Sequence, residues 1–364
     1  MDGKMEELVI YGVPEWTARR QTVEIPKPGP KEVLIKVFAA GLNPKDWKYT
    51  EDCNESEALN AGDDLAGIIE AVGSDVFEYK PGDRVAGFHR LGEPSGGYAA
   101  YALAPASTTF LLPPAVSFEE GATLPLASMT AAIALFQALR LPAPDTSTPG
   151  VKDLPVLIYG GATAVGGFAL QLAKLSGLSP IITVAGAGID FVKALDAATH
   201  IIDHRAGDAE HIQAEITAAL GGKKLLHALD CVGGRDSWVA AGGVLAPGGQ
   251  LNMLDWGEVL DWEPALDIPG PKAWTPPVGV ELTFTLVSSA YGSKHDWISE
   301  ERAAADADFA YTFYRYIARL LDEGRLRPHP HEVRPGGLDG ILQGVKDLQA
   351  GKVSARKLVV KYVE

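Results

Sequence analysis

The chain has 364 residues, a length for two domains, with 46% hydrophobic residues and a formal net charge of −15. That charge argues against nucleic acid or an anionic membrane as partner, and an anionic ligand needs a local basic patch to bind against it. The only cysteines, Cys53 and Cys231, exclude a disulfide framework and a four-cysteine zinc lobe. Residues 1–7 are polar and acidic without a signal-peptide core, and no apolar run spans a bilayer, so a cytoplasmic protein is expected.

In chain order, the first third reads as β-rich. Strands are predicted at Lys31–Ala40, Ile68–Val72, Arg84–Phe88 and Gly96–Leu103, with turn signals at Pro28-Gly-Pro30, Val72-Gly-Ser-Asp75 and Pro81-Gly-Asp83. This pattern describes a small, twisted, partly closed β domain. Phe118–Leu139 reads as helix, with Glu119 and Glu120 in its first turn, and Leu141–Asp153 as an exposed loop. Strand and helix then alternate. Strands are expected at Val156–Tyr159, Pro180–Ala185, His200–His204, Leu225–Val232, Gln250–Leu254 and Val280–Val287. Helices are expected near Val165–Ser176, Ile189–Ala198, Ala209–Leu220 and Ser237–Leu245. The alternation implies an α/β, doubly wound parallel sheet, whose ligands sit beyond the carboxyl ends of the strands. Residues 255–277, with Trp256, Trp262 and Trp274, are too long for a plain connector. Helices near Arg302–Glu323 and Leu338–Ala350 and a strand at Lys357–Val363 complete the chain, without internal repeats.

Chemistry concentrates at Val156–Lys174. An apolar strand, the turn Gly160-Gly161 and a helix carrying Val165, Phe168, Ala169 and Leu172 on one face make a βα unit. Its helix N-terminus offers N–H groups and a positive dipole end to a pyrophosphate. Gly166 allows close helix–strand packing, while Thr163 stands where a G-x-G-x-x-G fingerprint has its middle glycine. Among the histidines, His329-Pro-His331 reads as exposed loop and His89 as a surface residue. Tyr98 and Tyr291 could donate a proton, with a buried tyrosine bonded to backbone as the commoner alternative.

The pieces Ala162-x-x-Val165-Gly166-x-x-x-x-Gln171-x-Ala173-Lys174, Gly41-Leu-Asn43-Pro44-x-Asp46, Gly62-x-Asp64-x-Ala66-Gly67, Pro81-Gly-Asp-Arg-Val85 and Gly351-Lys…Lys357-Leu-Val-Val360 occur in order along nearly the whole chain. Together they resemble the medium-chain dehydrogenase/reductase superfamily. Asn43-Pro-x-Asp-x-Lys48, Gly160-Gly-x-Thr-Ala164, Asp203-x-Arg205-Ala206 and the Trp/Pro-rich segment resemble, within it, the fungal trans-acting enoyl reductases of polyketide synthesis, of the lovastatin enoyl reductase type. The resemblance implies a GroES-like catalytic domain at 1–127 and 289–364 around a Rossmann cofactor domain at 128–288. Zinc enzymes of the superfamily carry Cys and His where this chain reads Asn43-Pro-Lys-Asp46 and Gly62-Asp-Asp64, so no metal is expected. Without that Lewis acid, hydride addition to an activated C=C is more accessible than carbonyl reduction.

The same resemblance assigns cofactor contacts to Lys45, Asp46, Trp47 and Lys48, to the phosphate turn Ala162, Thr163, Ala164 and Val165, and to the ribose site Ala185, Gly186, Ala187 and Gly188. His204 stands at a family tyrosine, Met253 and Leu254 flank the nicotinamide, and Val359 and Val360 close the site. Ala131, Ala134, Leu135 and Ala138, with Thr283, Phe284, Thr285, Leu286 and Val287, would line the acyl channel. Thr130 matches an active-site threonine, and Lys48 is the side chain best suited to return a proton. No carboxylate follows the second strand before Asp190, which removes repulsion against a 2′-phosphate and selects NADPH over NADH. Lys193, His204 and Arg205 are the cations at hand, with solvated surface charge as the alternative for Lys193 and Arg205. The implied activity is reduction of an α,β-unsaturated acyl thioester by a monomer working with a polyketide synthase. A zeta-crystallin-like quinone or enone reductase and a non-catalytic cofactor-binding partner of a synthase are the alternatives.

Overall fold

A computed structural model describes residues 3–146, 150–254, 275–294 and 298–362. The chain forms two compact units, Met1–Met129 with Val287–Glu364, and Thr130–Leu286.

The first unit opens with an antiparallel hairpin, β1 (Lys4–Tyr11) and β2 (Thr17–Glu24). There follow β3 (Glu32–Gly41), the five-residue helix α1 (Pro44–Lys48), β4 (Asp64–Val72), β5 (Arg84–Phe88), β6 (Tyr101–Pro105) and β7 (Thr109–Leu111). Residues 96–100, expected as strand, lie outside β6; Gly97 N–H donates to Gly62 O (2.6 Å) and Tyr98 N–H to Asn60 Oδ1 (2.9 Å). The predicted helix over 118–139 is broken. Its pieces are α2 (Phe118–Gly121), capped by Ser117, then α3 (Pro125–Ala132) and a π-helical turn, Ile133–Ala138. Pro125 enforces the break, because proline lacks the N–H that a continuous helix would need there. Phe118–Ala138 is long and apolar enough to cross a membrane by composition, but its apolar window is 89% buried inside the protein.

The second unit alternates β8 (Val156–Tyr159), α4 (Ala164–Leu175), β9 (Ile181–Ala185), α5 (Ile189–Leu195), β10 (His200–Asp203), α6 (Ala209–Leu220), β11 (His227–Asp230), α7 (Arg235–Gly242), β12 (Gln250–Met253) and β13 (Glu281–Phe284). The sheet order is β10-β9-β8-β11-β12-β13, parallel throughout. Strand order reverses between β8 and β11, which creates a switch point at their carboxyl ends. The central strands are continuous apolar runs because helices cover both faces; Leu157, Ile182, Val184, Ala228 and Leu251 are fully buried. The Trp-rich segment from Trp256 through Trp262 to Trp274 lies outside the described residues.

The chain returns to the first unit through α8 (Glu300–Asp322), β14 (His331–Arg334), α9 (Gly340–Gln349) and β15 (Lys357–Lys361). The seven-stranded sheet runs β14-β15-β3-β4-β5-β7, with β6 also paired to β3. Its core gathers Val33, Ile35, Leu65, Ile69, Val85, Leu358 and Val360.

Candidate active site

In the second unit the turn after β8 has the form that a pyrophosphate requires. Thr163 is the N-cap of α4, and its Oγ1 accepts Gly166 N–H at 3.0 Å. A Cβ on Gly166 would lie 2.2 Å from Gly160 O, so the helix rests directly on the turn, as the sequence predicts for a glycine here. The first helical N–H groups, at Ala164 and Val165, have no intrahelical acceptor, and Ala162–Val165 are only half-buried. These residues fit an anionic pyrophosphate.

At the neighbouring strand end, Ala185 and Gly188 are buried and Ala187 is exposed. The His204 imidazole covers Gly186, where an added Cβ would meet Nε2 at 2.2 Å. Arg205 forks onto Asp203 (Nε–Oδ1 2.8 Å, Nη2–Oδ2 2.6 Å), and this pairing holds the Asp203 carboxyl far below its ordinary range. Lys193, 64% exposed, stands 4.0 Å from Asp190. Of the three candidate cations, Arg205 is therefore already matched by a carboxylate.

Further along the sheet, the buried carboxylate of Asp230 ends β11. It accepts Val232 N–H (3.0 Å), Gly233 N–H (3.2 Å) and Ser237 O–H (2.8 Å), while burial pushes its carboxyl up. Sequence reading passed it over, although an Asp closing an apolar strand before Gly233-Gly234 was the available signal. Met253 is fully buried at the end of β12, and Leu254 beside it is half-buried. Asn252 receives the Thr285 hydroxyl (3.0 Å) and donates to Thr283 Oγ1 (3.1 Å). Phe284 and Leu286 are half-buried, whereas Val287, Ala131, Ala134, Leu135, Ala138 and Thr130 are buried. Leu135 and Ala138 lie in the π-helical turn, a form that appears preferentially at functional sites.

In the first unit, the residues at the family's metal positions form a closed ionic cluster. Asp63, immediately before β4, receives Lys45 Nζ on one oxygen and His89 Nδ1 on the other (2.8 Å). Lys45 Nζ also donates to Ala61 O (2.6 Å) and pairs with Asp46 Oδ1 (3.0 Å). The ammonium donates to Asp63 and Ala61 O, while Asp46 Oδ1 meets it as an ion pair without a hydrogen bond. Asp46 Oδ2 accepts Tyr98 O–H (2.6 Å) and Asn43 N–H (2.8 Å). His89 Nε2 faces Pro94 O at 3.0 Å, so both ring nitrogens point at groups that only accept.

The next residue, Asp64, points the other way and binds Lys357 Nζ (2.5 Å), Asn43 Nδ2 (2.8 Å) and Leu126 N–H (2.7 Å). Burial alone would raise the Asp63 carboxyl, but Lys45 and His89 hold it below its ordinary value. For Asp46 burial prevails over Lys45 and Tyr98 and lifts the carboxyl; for Lys45 the two carboxylates prevail over burial and lift the ammonium. Lysine ammonium groups thus already occupy the carboxylates at the metal positions, and this donor set does not fit zinc.

Two histidine expectations are corrected. His89 is 3% exposed and belongs to the cluster, because its ring reaches Asp63 across the sheet. His329 is also 3% exposed, its backbone N–H bonded to Thr123 Oγ1 (3.2 Å), and burial pulls its pKa down to about 3. Tyr291 accepts Leu91 N–H (2.9 Å). On α1, Trp47 packs against the core, whereas Lys48 is exposed, its ammonium 5.5 Å from the Trp47 ring centre. Val359 and Val360 are fully buried on β15, paired with Gly41 and Ala40 of β3.

A Rossmann sheet with a phosphate turn, inserted into a β-rich unit, defines a medium-chain dehydrogenase/reductase. Comparisons with known proteins agree: residues 29–114 match the alcohol dehydrogenase GroES-like domain and residues 164–265 the zinc-binding dehydrogenase family. The chain is 36% identical over 320 residues to trans-enoyl reductase fsr4 of Gibberella fujikuroi, covering 87% of each chain. It is 34% identical over 353 residues to trans-enoyl reductase ACTTS2 of Alternaria alternata, covering 94% of this chain and 95% of the relative. The crystal structure of CurK enoyl reductase shares the fold, with a TM-score of 0.71 at 22% identity over 99% of both chains. The chain belongs to the trans-enoyl reductases, oxidoreductases of the medium-chain dehydrogenase/reductase superfamily.

Proposed function

We propose that this protein is an NADPH-dependent enoyl reductase that saturates the 2,3 double bond of an acyl thioester, working in trans with a polyketide synthase in the cytosol. The observation that carries this reading is the pairing of the metal-position carboxylates with Lys45 and Lys357, in a chain whose relatives are named trans-enoyl reductases. When bound, a dihydronicotinamide would supply the hydride for the β-carbon. The N–H groups at Ala164 and Val165 and the α4 dipole would hold its pyrophosphate. The absence of an acid after β9, together with His204 and Lys193, favours the 2′-phosphate.

The chain's own catalytic task is to meet the negative charge that then develops on the thioester oxygen, where aimed donors lower the barrier most. The Lys48 ammonium and the Thr130 hydroxyl are assigned that role. A proton must next reach the α-carbon, and Lys48 or a water that it orients returns it. The buried small residues Ala131, Ala134 and Ala138, with Leu135 and residues 283–287, are assigned to the acyl side of the site.

The test is oxidation of NADPH by purified protein with a 2-enoyl thioester and with a simple quinone, repeated with NADH. Faster turnover of the thioester, with NADPH preferred, is expected. Turnover of quinone alone would replace this reading with a quinone reductase, and oxidation of neither would remove the catalytic assignment. Lys48→Ala and Thr130→Val are each expected to lower kcat/KM for the thioester; unchanged turnover in both would refute these roles.

A further inference from the structure

We propose that Asp63 is a positioning residue: the buried Asp63–Lys45–His89 cluster sets the orientation of α1 and thereby the place of Lys48. A helix of five residues does not hold its own geometry and must be held by contacts. Its two ends differ sharply. Lys45 and Asp46, in the first turn, are held by Asp63, Ala61 O, Tyr98 and the Asn43 N–H, whereas Lys48 and Tyr49 at the carboxyl end are exposed. Lys48 lies one helical turn from Lys45, so a rotation of α1 that relaxed the inner ion pairs would carry the Lys48 ammonium away with it.

Asp63 is the hub of this arrangement. One oxygen takes Lys45 from α1 and the other takes His89, which follows β5 and is itself tied to Pro94 O. The Asp63 carbonyl also accepts the His89 backbone N–H (2.9 Å), so this point of the sheet is held through both main chain and side chain. A buried ionic cluster is a poor device for stability alone, since apolar packing of equal volume serves as well or better. Its directional bonds instead fix a geometry, and the geometry here is that of the helix carrying Lys48.

The inference rests on the catalytic role assigned to Lys48, and the experiment separates the two. Asp63→Asn, Lys48→Ala and the double variant are compared with wild type in thioester reduction by NADPH, with folding checked by circular dichroism. Asp63→Asn is expected to lower kcat by about tenfold or more, with KM for NADPH changed by less than about threefold. In the Lys48→Ala background the same substitution is expected to cost less than about twofold, because residues acting through one group are not additive. If the two losses multiply, Asp63 is merely structural and the inference is overturned. Wild-type kcat in Asp63→Asn would also overturn it. An unchanged Lys48→Ala would show instead that Lys48 has no catalytic role, and the inference would fall with it. Should Asp63→Asn not fold, His89→Gln, which can keep a donor on Asp63 but not the bridge to Pro94, replaces it with the same expectations.

Discussion

Substituting Gly166 by alanine tests whether the cofactor turn depends on direct contact between helix and strand. The new methyl would stand 2.2 Å from Gly160 O, 2.9 Å from Gly160 C and 2.9 Å from Gly161 Cα. All three are backbone atoms, so no side chain can swing aside, and α4 must lift from the turn. Overpacking of this kind costs about 1–3 kcal/mol. At roughly 2–4 °C per kcal/mol for a unit of this size, the melting temperature should fall by about 2–12 °C. Lifting the helix also moves the Ala164 and Val165 N–H groups away from the pyrophosphate. Hydrogen bonds to a charged group are worth about 1.5–3 kcal/mol, so losing one weakens NADPH binding by about ten- to a hundredfold. Thermal unfolding with and without NADPH, and titration followed by nicotinamide fluorescence, read the two effects separately. A variant with wild-type melting temperature and wild-type affinity would refute the close-contact account.

Ala187→Asp places a carboxylate on an exposed position after β9, and the NADPH over NADH preference in kcat/KM should fall by about tenfold, or ~1.4 kcal/mol; an unchanged ratio would move the 2′-phosphate elsewhere. Burial holds the folded-state pKa of His329 at about 3, so its neutral ring imposes no penalty above the unfolded value of about 6.5. Below that pH the unfolded chain takes up a proton that the folded protein refuses, and stability drops by about 1.4 kcal/mol per pH unit until about pH 3. Chemical denaturation across this window should show a shallower slope for His329→Gln, and equal slopes would contradict the assignment. Lys357→Met leaves the buried Asp64 carboxylate without its ammonium and should cost about 3–5 kcal/mol, whereas Lys357→Met/Asp64→Asn should recover most of it. Equal urea midpoints for the single and double variants would refute the pairing.

The second unit was legible because its signals are local. Parallel strands buried on both faces read as short apolar runs, and α6 runs over Ala209–Leu220 as predicted because Asp208 caps its start and Gly221 its end. Gly166 was legible for the same reason, since a turn and the helix after it are neighbours in sequence. The first unit hid more. Most of β2 is polar (Thr17–Glu24) and partly exposed, and β14 has only four residues, so neither shows a hydrophobic period. The ionic cluster was illegible for a different reason. Lys45 meets Asp63 eighteen residues away and His89 meets Asp63 across twenty-six, and no local pattern announces either contact. Lys45 therefore read as a cofactor contact and His89 as surface; Lys45 is half-buried against Asp63, and His89 is buried. Asp230 was overlooked because its partners are backbone N–H groups of the turn after it.

The sequence nevertheless contains the reason the two adjacent carboxylates differ. Successive residues entering a strand point to opposite faces, so Asp63 and Asp64 cannot share a partner. Asp63 meets Lys45 and His89, from α1 and the end of β5; Asp64 meets Lys357 and Leu126 N–H, from β15 and α3. Asn43 joins the two sets, its amide side chain contacting Asp64 and Lys357 while its backbone N–H reaches Asp46. Zinc enzymes of the superfamily resemble this chain at Asn43–Asp46 and Gly62–Asp64 but carry Cys and His there. Here the tie is divided between two ammonium groups on opposite sides of one strand, which gives the Asp64 side to holding β15 and α3, and the Asp63 side to the helix that bears Lys48.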